Sequence, residues 1–95
     1  MNLLQWLMNW YYSNCDDDWE HSYGITIETL DNSGWSINIE LTDTDVYGKD
    51  FYEINIDKGD DDWIVCRIRS DKFEGRGDSF KLELIIETFK DWVEN

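Results

Sequence analysis

The stretch Trp35-Ser36-Ile37-Asn38-Ile39-Glu40-Leu41 decides the fold. Its apolar and polar residues alternate strictly, so in an extended chain the apolar side chains lie on one face and the polar ones on the other. A strand with one apolar and one polar face is typical of an antiparallel sheet that packs against a core on one side only. The sequence therefore predicts a half-buried β-strand over residues 35–41.

The same alternation recurs three times along the chain. In residues 25–30 the alternating apolar pair is Ile25 and Ile27, and residues 51–57 and 63–69 place apolar side chains at every second position. Asp31-Asn32-Ser33-Gly34 predicts a hairpin turn between the first two strands, with Gly34 at the position of positive φ. Residues 58–62 predict another turn, so we expect a four-stranded antiparallel meander.

Amphipathic helices are predicted at both ends of the chain. Apolar residues recur at three- and four-residue spacing over residues 2–14 and again from Leu82 to Val93. The aspartates at positions 16–18 end the first helix, because Asp disfavours helix and repels the negative C-terminal dipole. Asp78 or Ser79 is expected to cap the last helix.

The predicted architecture is a single α+β domain over residues 1–95. It has an N-terminal helix, a four-stranded sheet and a C-terminal helix, and both helices pack on the apolar face of the sheet. The segment 72–78 is expected to be a loop, because Gly75 and Gly77 break regular structure. The polar face of the sheet is either plain exterior or a docking surface.

Aromatic residues give this short chain enough apolar surface for one core: it has six Trp, five Tyr and four Phe. Burying one large side chain is worth about 1.5–3 kcal/mol, so the domain can be stable without disulfides. Its two cysteines, Cys15 and Cys66, are fewer than a small secreted domain usually carries. The N-terminus lacks the features of a signal peptide, and no apolar run reaches the ~20 residues that span a bilayer. We therefore expect a cytoplasmic protein with both thiols reduced.

The charge is strongly negative and unevenly distributed. The net charge is -14, no Lys or Arg precedes Lys49, and nine acids fall within residues 1–48. Such a chain repels nucleic acid and anionic membranes, and it attracts basic proteins or cations. We therefore expect a basic protein as partner, with no binding to nucleic acid or membranes. The alternative is that the charge only keeps the protein soluble.

Catalytic and metal-binding patterns are incomplete. A single histidine, His21, stands among carboxylates, and it cannot complete a zinc site with two distant cysteines. Residues 43–48 begin like a calcium loop, but Tyr47 and Ile54 occupy positions that need oxygen ligands. No phosphate-binding glycine loop or nucleophile motif is present. We therefore expect no metal, no cofactor and no enzymatic activity.

The motif Asp-Asp-Asp-Trp occurs twice, at residues 16–19 and 60–63. An aromatic ring beside carboxylates can anchor an Arg or Lys side chain of a partner. The alternative is that each ring closes the edge of the core. The predicted partner-binding residues are Asp16, Asp17, Asp18, Trp19, Glu20, His21, Asp60, Asp61, Asp62 and Trp63.

Several linked motifs together resemble the signature of the immunity protein 53 family of bacterial polymorphic toxin systems. The motifs are Cys-Asp-Asp-Asp-Trp-Glu-His-Ser-Tyr-Gly at 15–24, Thr-Leu-Asp-Asn-Ser-Gly-Trp at 29–35, Asp-Asp-Trp-Ile-Val-Cys-Arg at 61–67 and Phe-Glu-Gly-Arg-Gly at 73–77. The initial Leu-Leu-Gln-Trp segment and the closing aromatic helix fit as well, so the resemblance covers nearly the whole chain. It implies a protein encoded beside a secreted toxin, which binds and neutralises that toxin inside the producing cell. It implies no catalytic residues.

Two functions compete at this point. One is a toxin-neutralising binder, and the other is an acidic regulator that mimics nucleic acid toward another basic protein; gene neighbourhood separates them. Many toxins of such systems are nucleases, whose clefts are basic so that they hold phosphates. An acidic inhibitor can occupy such a cleft as a charge mimic, and the charge alone motivates the hypothesis of a nuclease toxin. A third class, an enzyme acting on a small metabolite, requires a concave pocket with convergent polar groups.

Overall fold

The computed structural model describes residues 2–95, which form three helices and a five-stranded antiparallel sheet. The elements are, in chain order, α1 (Leu3–Asn14), α2 (Trp19–Ser22), β1 (Ile25–Leu30), β2 (Gly34–Glu40), β3 (Ile54–Asp57), β4 (Trp63–Arg69), β5 (Lys72–Asp78) and α3 (Leu82–Glu94). The predicted α+β class, with a helix before and a helix after an antiparallel sheet, is confirmed.

The order of the strands across the sheet is β1-β2-β5-β4-β3. Residues 72–78, predicted to be a loop, form the central strand β5, which pairs with β2 on one side and β4 on the other. The predicted four-stranded meander is therefore wrong in both strand number and strand order. The two glycines that suggested a loop have a different physical role.

Helix α3 lies against β5 at these two glycines. A methyl group at Gly75 would overlap Cγ2 of Ile85, and one at Gly77 would lie 2.6 Å from Cβ of Lys81. Ile85 and Phe73, which flank this contact, are completely buried. Glycine is needed within this strand because the helix packs directly on its backbone.

Phe89 of α3 connects the N-terminal helix to the core. Its ring lies 5.0 Å from the ring of Trp10 and 5.9 Å from that of Trp6, both edge-on, and 5.0 Å from the ring of Phe73 on β5. Edge-to-face arrangements of this kind are the favourable geometry for aromatic pairs. Both helices therefore lie on the apolar face of the sheet, and α1 reaches the core through α3.

The burial predicted for the apolar face of β2 and β4 is confirmed. Ile37 and Ile39 of β2 are each 1% exposed, and Cys66 of β4 is completely buried on the same face. Burial raises the pKa of the Cys66 thiol to about 12. This thiol is therefore a packing group rather than a nucleophile.

At the edges of the sheet the burial is less complete than the alternation predicts. Ile27 on β1 keeps 40% of its surface exposed and Ile56 on β3 keeps 47%, because the helices cover the central strands. The strand predicted over residues 51–57 is shorter, Ile54–Asp57, and Tyr52 before it is 91% exposed. Alternation in the sequence therefore indicates on which face of the sheet a side chain lies, but it does not indicate whether a helix covers that side chain.

Two local predictions about turns and caps are wrong. Ser33, rather than Gly34, has the positive φ, and Gly34 is constrained because a Cβ there would strike the carbonyl oxygen of Gly77. Neither Asp78 nor Ser79 caps α3, since its N-cap is Lys81 and no side chain bonds there.

Substitutions at the contact between α3 and β5 are expected to change the stability of the fold. We expect Gly75→Ala to destabilise the fold by about 1–3 kcal/mol, because the added methyl group overlaps Ile85. Ile85→Ala alone leaves a cavity and costs about 2–5 kcal/mol. In the double variant the new methyl group partly fills that cavity, so the combined loss is at least about 1 kcal/mol smaller than the sum. Urea denaturation of the four proteins measures this, and additive losses would show that the two residues do not touch.

Candidate partner-binding surface

The two predicted acidic segments lie at opposite ends of the sheet. Residues 16–21 lead into the start of β1, whereas residues 60–62 form the turn that leads into β4. The start of β4 lies beside the end of β5 and the β1–β2 turn, at the other end of the strands. The six residues of β1 span about 20 Å between the two ends. The repeated Asp-Asp-Asp-Trp motif therefore does not build one compact site.

In the first segment, two carboxylates are used to fold the chain. Asp16 Oδ1 accepts the backbone N–H groups of Asp18 and Trp19 at 3.0 and 2.9 Å. Glu20 accepts the N–H groups of Asp16 and Asp17, both at 2.9 Å. The N–H of Trp19 is the main cause of the lowered pKa of Asp16, and backbone N–H groups likewise lower the pKa of Glu20. These two acids stabilise the turn into α2.

Trp19 belongs to the core, which corrects its prediction as an exposed anchor. Its side chain is 2% exposed, and its ring lies 6.1 Å from that of Trp10 and 5.7 Å from that of Tyr11. The ring closes the edge of the core, as the alternative interpretation held. Asp17, Asp18 and His21 remain exposed around it.

The second segment rests on a buried carboxylate, Asp78, which is 1% exposed. Its Oδ2 accepts the backbone N–H of Trp63 at 2.8 Å and the ammonium of Lys81 at 2.7 Å. The same ammonium contacts Oδ1 of Asp62 at 2.9 Å. Asp78 and Lys81, neither of them predicted as site residues, thus hold the acidic turn against the start of α3.

Burial by itself raises the pKa of Asp78, but its hydrogen bonds outweigh this effect. The Lys81 ammonium and the N–H groups of Phe80 and Trp63 hold the pKa at about 2. Hydrogen bonds to Asp78 and then to Asp62 raise the pKa of Lys81. The cluster is therefore a charged pair with an attached surface carboxylate at neutral pH.

An open groove of about 690 Å³ lies beside this turn. It is bordered by the β1–β2 turn on one side and the β3–β4 turn on the other, and the half-buried Trp63 lies within it. Asp60 and Asp61 are exposed at its border and make no side-chain bond among residues 2–95. The groove therefore offers unengaged carboxylates beside an aromatic ring. Its lining residues are Asn32, Ser33, Asp57, Gly59, Asp60, Asp61 and Trp63.

The polar face of the sheet carries a second open groove, of about 630 Å³, near the other end of the strands. Arg76 crosses this face and donates to the carbonyl oxygens of Ile37 and Gly75 and to Oδ1 of Asn38. Arg67 pairs with Glu74 at 3.0 Å. The prediction of a loop over residues 72–78 missed the central row of this face, because that row belongs to β5. On this face Arg76 is therefore engaged by neutral oxygen atoms, and Arg67 and Glu74 pair with each other.

His21 is exposed on the short helix α2, and both cysteines are free. Within residues 2–95, no three His, Cys, Asp or Glu side chains come together as a possible metal site. In the same part of the chain, no helix is both long and apolar enough to cross a membrane.

A family model described as Immunity protein 53 matches residues 4–94 of the 95-residue chain. The chain belongs to the immunity protein 53 family. Neither the curated proteins nor the solved structures contain a match to it. Membership of the family implies that the partner is a protein toxin. The kind of site to identify is therefore a surface that binds another protein.

In this immunity protein 53 domain, the residues that the sequence singled out divide into two groups. Trp19 is structural, and Asp16, Glu20 and Asp62 are engaged in internal bonds. The exposed group is free to meet another molecule: it comprises Asp17, Asp18, His21, Asp60 and Asp61, with Trp63 partly accessible.

The low pKa of Asp78 predicts an acid-dependent loss of stability. Its folded pKa of about 2 lies below its ordinary 3.8, so the ionised carboxylate stabilises the fold above about pH 4, and this contribution is lost as the pH falls toward 2. We expect Asp78→Asn to lower the Tm at neutral pH, and the difference from the unmodified protein to shrink between about pH 4 and 2. Thermal unfolding over that range measures it, and Asp91→Asn, at an exposed position on α3, is the control for the loss of one negative charge. A difference that stays constant with pH would contradict the assignment.

Proposed function

We propose that this chain binds a basic protein toxin and neutralises it inside the producing cell, without catalysis. Membership of the immunity protein 53 family supports a toxin as the partner. The observation that carries the proposal is the separation of charge, since residues 2–48 hold nine acids and no base. Seven of these acids belong to α2, β1, β2 and the turns beside them, at the β1 edge of the sheet, and Asp43 and Asp45 lie in the connection that leads from β2 to β3.

A nuclease is the toxin class that suits this charge. A nuclease cleft carries Lys and Arg because it must hold the phosphates of its substrate. A surface of carboxylates competes for the same groups and excludes the nucleic acid. The long-range attraction between the two proteins also accelerates their encounter, which suits an inhibitor that must capture the toxin quickly.

Exposed carboxylates with no internal partner are the groups we assign to the toxin contact. Asp17 and Asp18 supply them at one end of the sheet, and Asp60 and Asp61 supply them at the other, beside Trp63. Asp16, Glu20 and Asp62 contribute mainly by holding their turns in place. His21 lies at the border of the first group.

Co-expression with the product of the adjacent gene tests the function directly. We expect the adjacent protein to arrest growth when expressed alone, and this chain to restore growth and co-purify with it. Restored growth without a complex would favour an indirect effect. A chain that neither rescues growth nor binds would contradict the proposal.

Removing charge at one end of the sheet is expected to change the rate at which the chain associates with the toxin. We expect the double variant Asp60→Asn, Asp61→Asn to slow association with the toxin several-fold at low salt and to leave dissociation nearly unchanged. Exposed charges act at long range but contribute only about 0–1 kcal/mol each once screened. Surface-captured kinetics over a series of salt concentrations measures both rates.

The matched control is the double variant Glu83→Gln, Glu87→Gln, which removes two exposed charges from α3. It changes the net charge equally, so any larger effect of the Asp60 and Asp61 variant reports their position. Association rates that do not vary with salt would rule out steering, and the charge would then serve solubility alone.

Substitutions of the two tryptophans of the repeated motif are expected to have different effects, one on toxin binding and the other on stability. Trp63→Ala is expected to speed dissociation of the toxin by at least about 30-fold, as loss of a central aromatic contact does. Trp19→Ala is expected instead to destabilise the fold by about 3–5 kcal/mol, because its ring is buried in the core. Thermal unfolding of both variants accompanies the binding assay. Trp63→Ala with unchanged dissociation and a large loss of stability would assign that ring to the core as well.

A further inference from the structure

Strand β1 is an edge strand whose outward backbone groups have no partner. It pairs only with β2, in a register that sets Thr26 opposite Asn38. Gly24 accepts the N–H of Glu40 at 3.1 Å, which fixes the even-numbered residues of β1 as those that bond to β2. The N–H and C=O groups of Ile25, Ile27 and Thr29 therefore point away from the sheet. Within residues 2–95, no turn or loop backbone bonds to them.

The apolar side of β1 is also uncovered. A shallow depression of about 340 Å³ lies between the start of β1 and the exposed side of α1. Met8 is 56% exposed there and Tyr11 is 38% exposed, and Ile27 continues the surface along the strand at 40%. An unpaired edge beside exposed apolar side chains is the arrangement to which an additional strand binds. The depression is lined by Leu7, Met8, Tyr11, Tyr23, Gly24 and Ile25.

The charged residues of β1 and of the segments that directly precede and follow it are all acidic. Asp17 and Asp18 precede β1, Glu28 is exposed at its middle, and Asp31 follows it, while no Lys or Arg occurs in residues 2–48. A second copy of this chain would bring the same carboxylates against these, so charge repulsion opposes self-pairing. A segment that carries Lys or Arg complements them.

The opposite edge of the sheet suits an added strand less well. Strand β3 has four residues, against six in β1, and Lys58 follows it directly. Strand β1, in contrast, runs between the two acidic ends of the sheet, so a molecule lying along it reaches Asp17 and Asp18 at one end and the groove of Trp63 at the other.

We propose that the toxin adds an extended segment to β1 as a further strand of the sheet. Alternate residues of this segment are apolar and rest on Ile27 and the α1 depression, and the residues between them are Lys or Arg and face Glu28. The proposal rests on the proposed function for the identity of the partner, and it adds where and how that partner is held.

Amide hydrogen exchange of the isotope-labelled chain, free and bound to the adjacent gene's product, tests the proposal residue by residue. The amides of Ile25, Ile27 and Thr29 are expected to exchange at least about tenfold more slowly in the complex, because they acquire hydrogen-bond partners. The amides of Thr26 and Glu28 already bond to β2 and change little. If a complex forms while the three outward amides exchange as in the free protein, strand addition is wrong and the proposed function stands. If no complex forms, both are wrong.

Backbone and charge variants provide an independent test in the same binding assay. Ile27→Pro removes one outward N–H from β1, and Asn55→Pro removes one from β3, where the bond from Lys58 N–H to Asp62 shows that odd-numbered residues face outward. We expect Ile27→Pro to weaken binding about tenfold or more and Asn55→Pro to change it less than about twofold. Equal effects of the two variants would overturn the proposal.

Glu28→Lys keeps the test decisive if the proline variant does not fold, because Glu28 is exposed on the strand. Glu87→Lys on α3 changes the net charge by the same amount and is its control. Glu28→Lys is expected to weaken binding at least about fivefold more than Glu87→Lys. Equal weakening by the two would show that only the overall charge matters and would contradict contact at β1.

Discussion

The packing of Ile85 on the bare backbone of Gly75 is the contact on which the rest of the structure depends. It lets α3 lie close to β5, the strand that joins the two halves of the sheet. Phe89, one turn further along α3, then reaches Phe73 on the sheet and Trp10 on α1. The N-terminal helix is thus held through the C-terminal one, and the apolar faces of both close over the central strands.

The sequence predicted most of the elements because their periodicities are local. Strict alternation located β2 and β4, and the apolar stripes located α1 and α3. The prediction missed β5 because Gly75 and Gly77 normally indicate a loop. Only the packing of α3, the next element along the chain, on their backbone explains these glycines. The predicted strand order was therefore wrong as well, because β5 lies between β2 and β4.

The candidate surface was predictable in composition but not in arrangement. Two acidic segments with a tryptophan each are visible in the sequence, but a one-dimensional pattern cannot reveal that they lie at opposite ends of a sheet. Nor can it distinguish Trp19, which is buried among Trp10 and Tyr11, from Trp63, which lies in an open groove. The pairing of Asp78 with Lys81 beneath the second segment depends on the turn from β5 into α3.

The exposed position of β1 has a consequence for how such a protein diversifies. The contacts that hold the fold together lie among α3, β5 and the central strands, whereas the exposed side chains of β1 and the outer side of α1 take little part in them. Residues such as Met8, Ile27 and Glu28 can be exchanged with little loss of folding free energy. Substitutions can therefore change the exposed surface of this edge while the contacts that hold the core together stay the same.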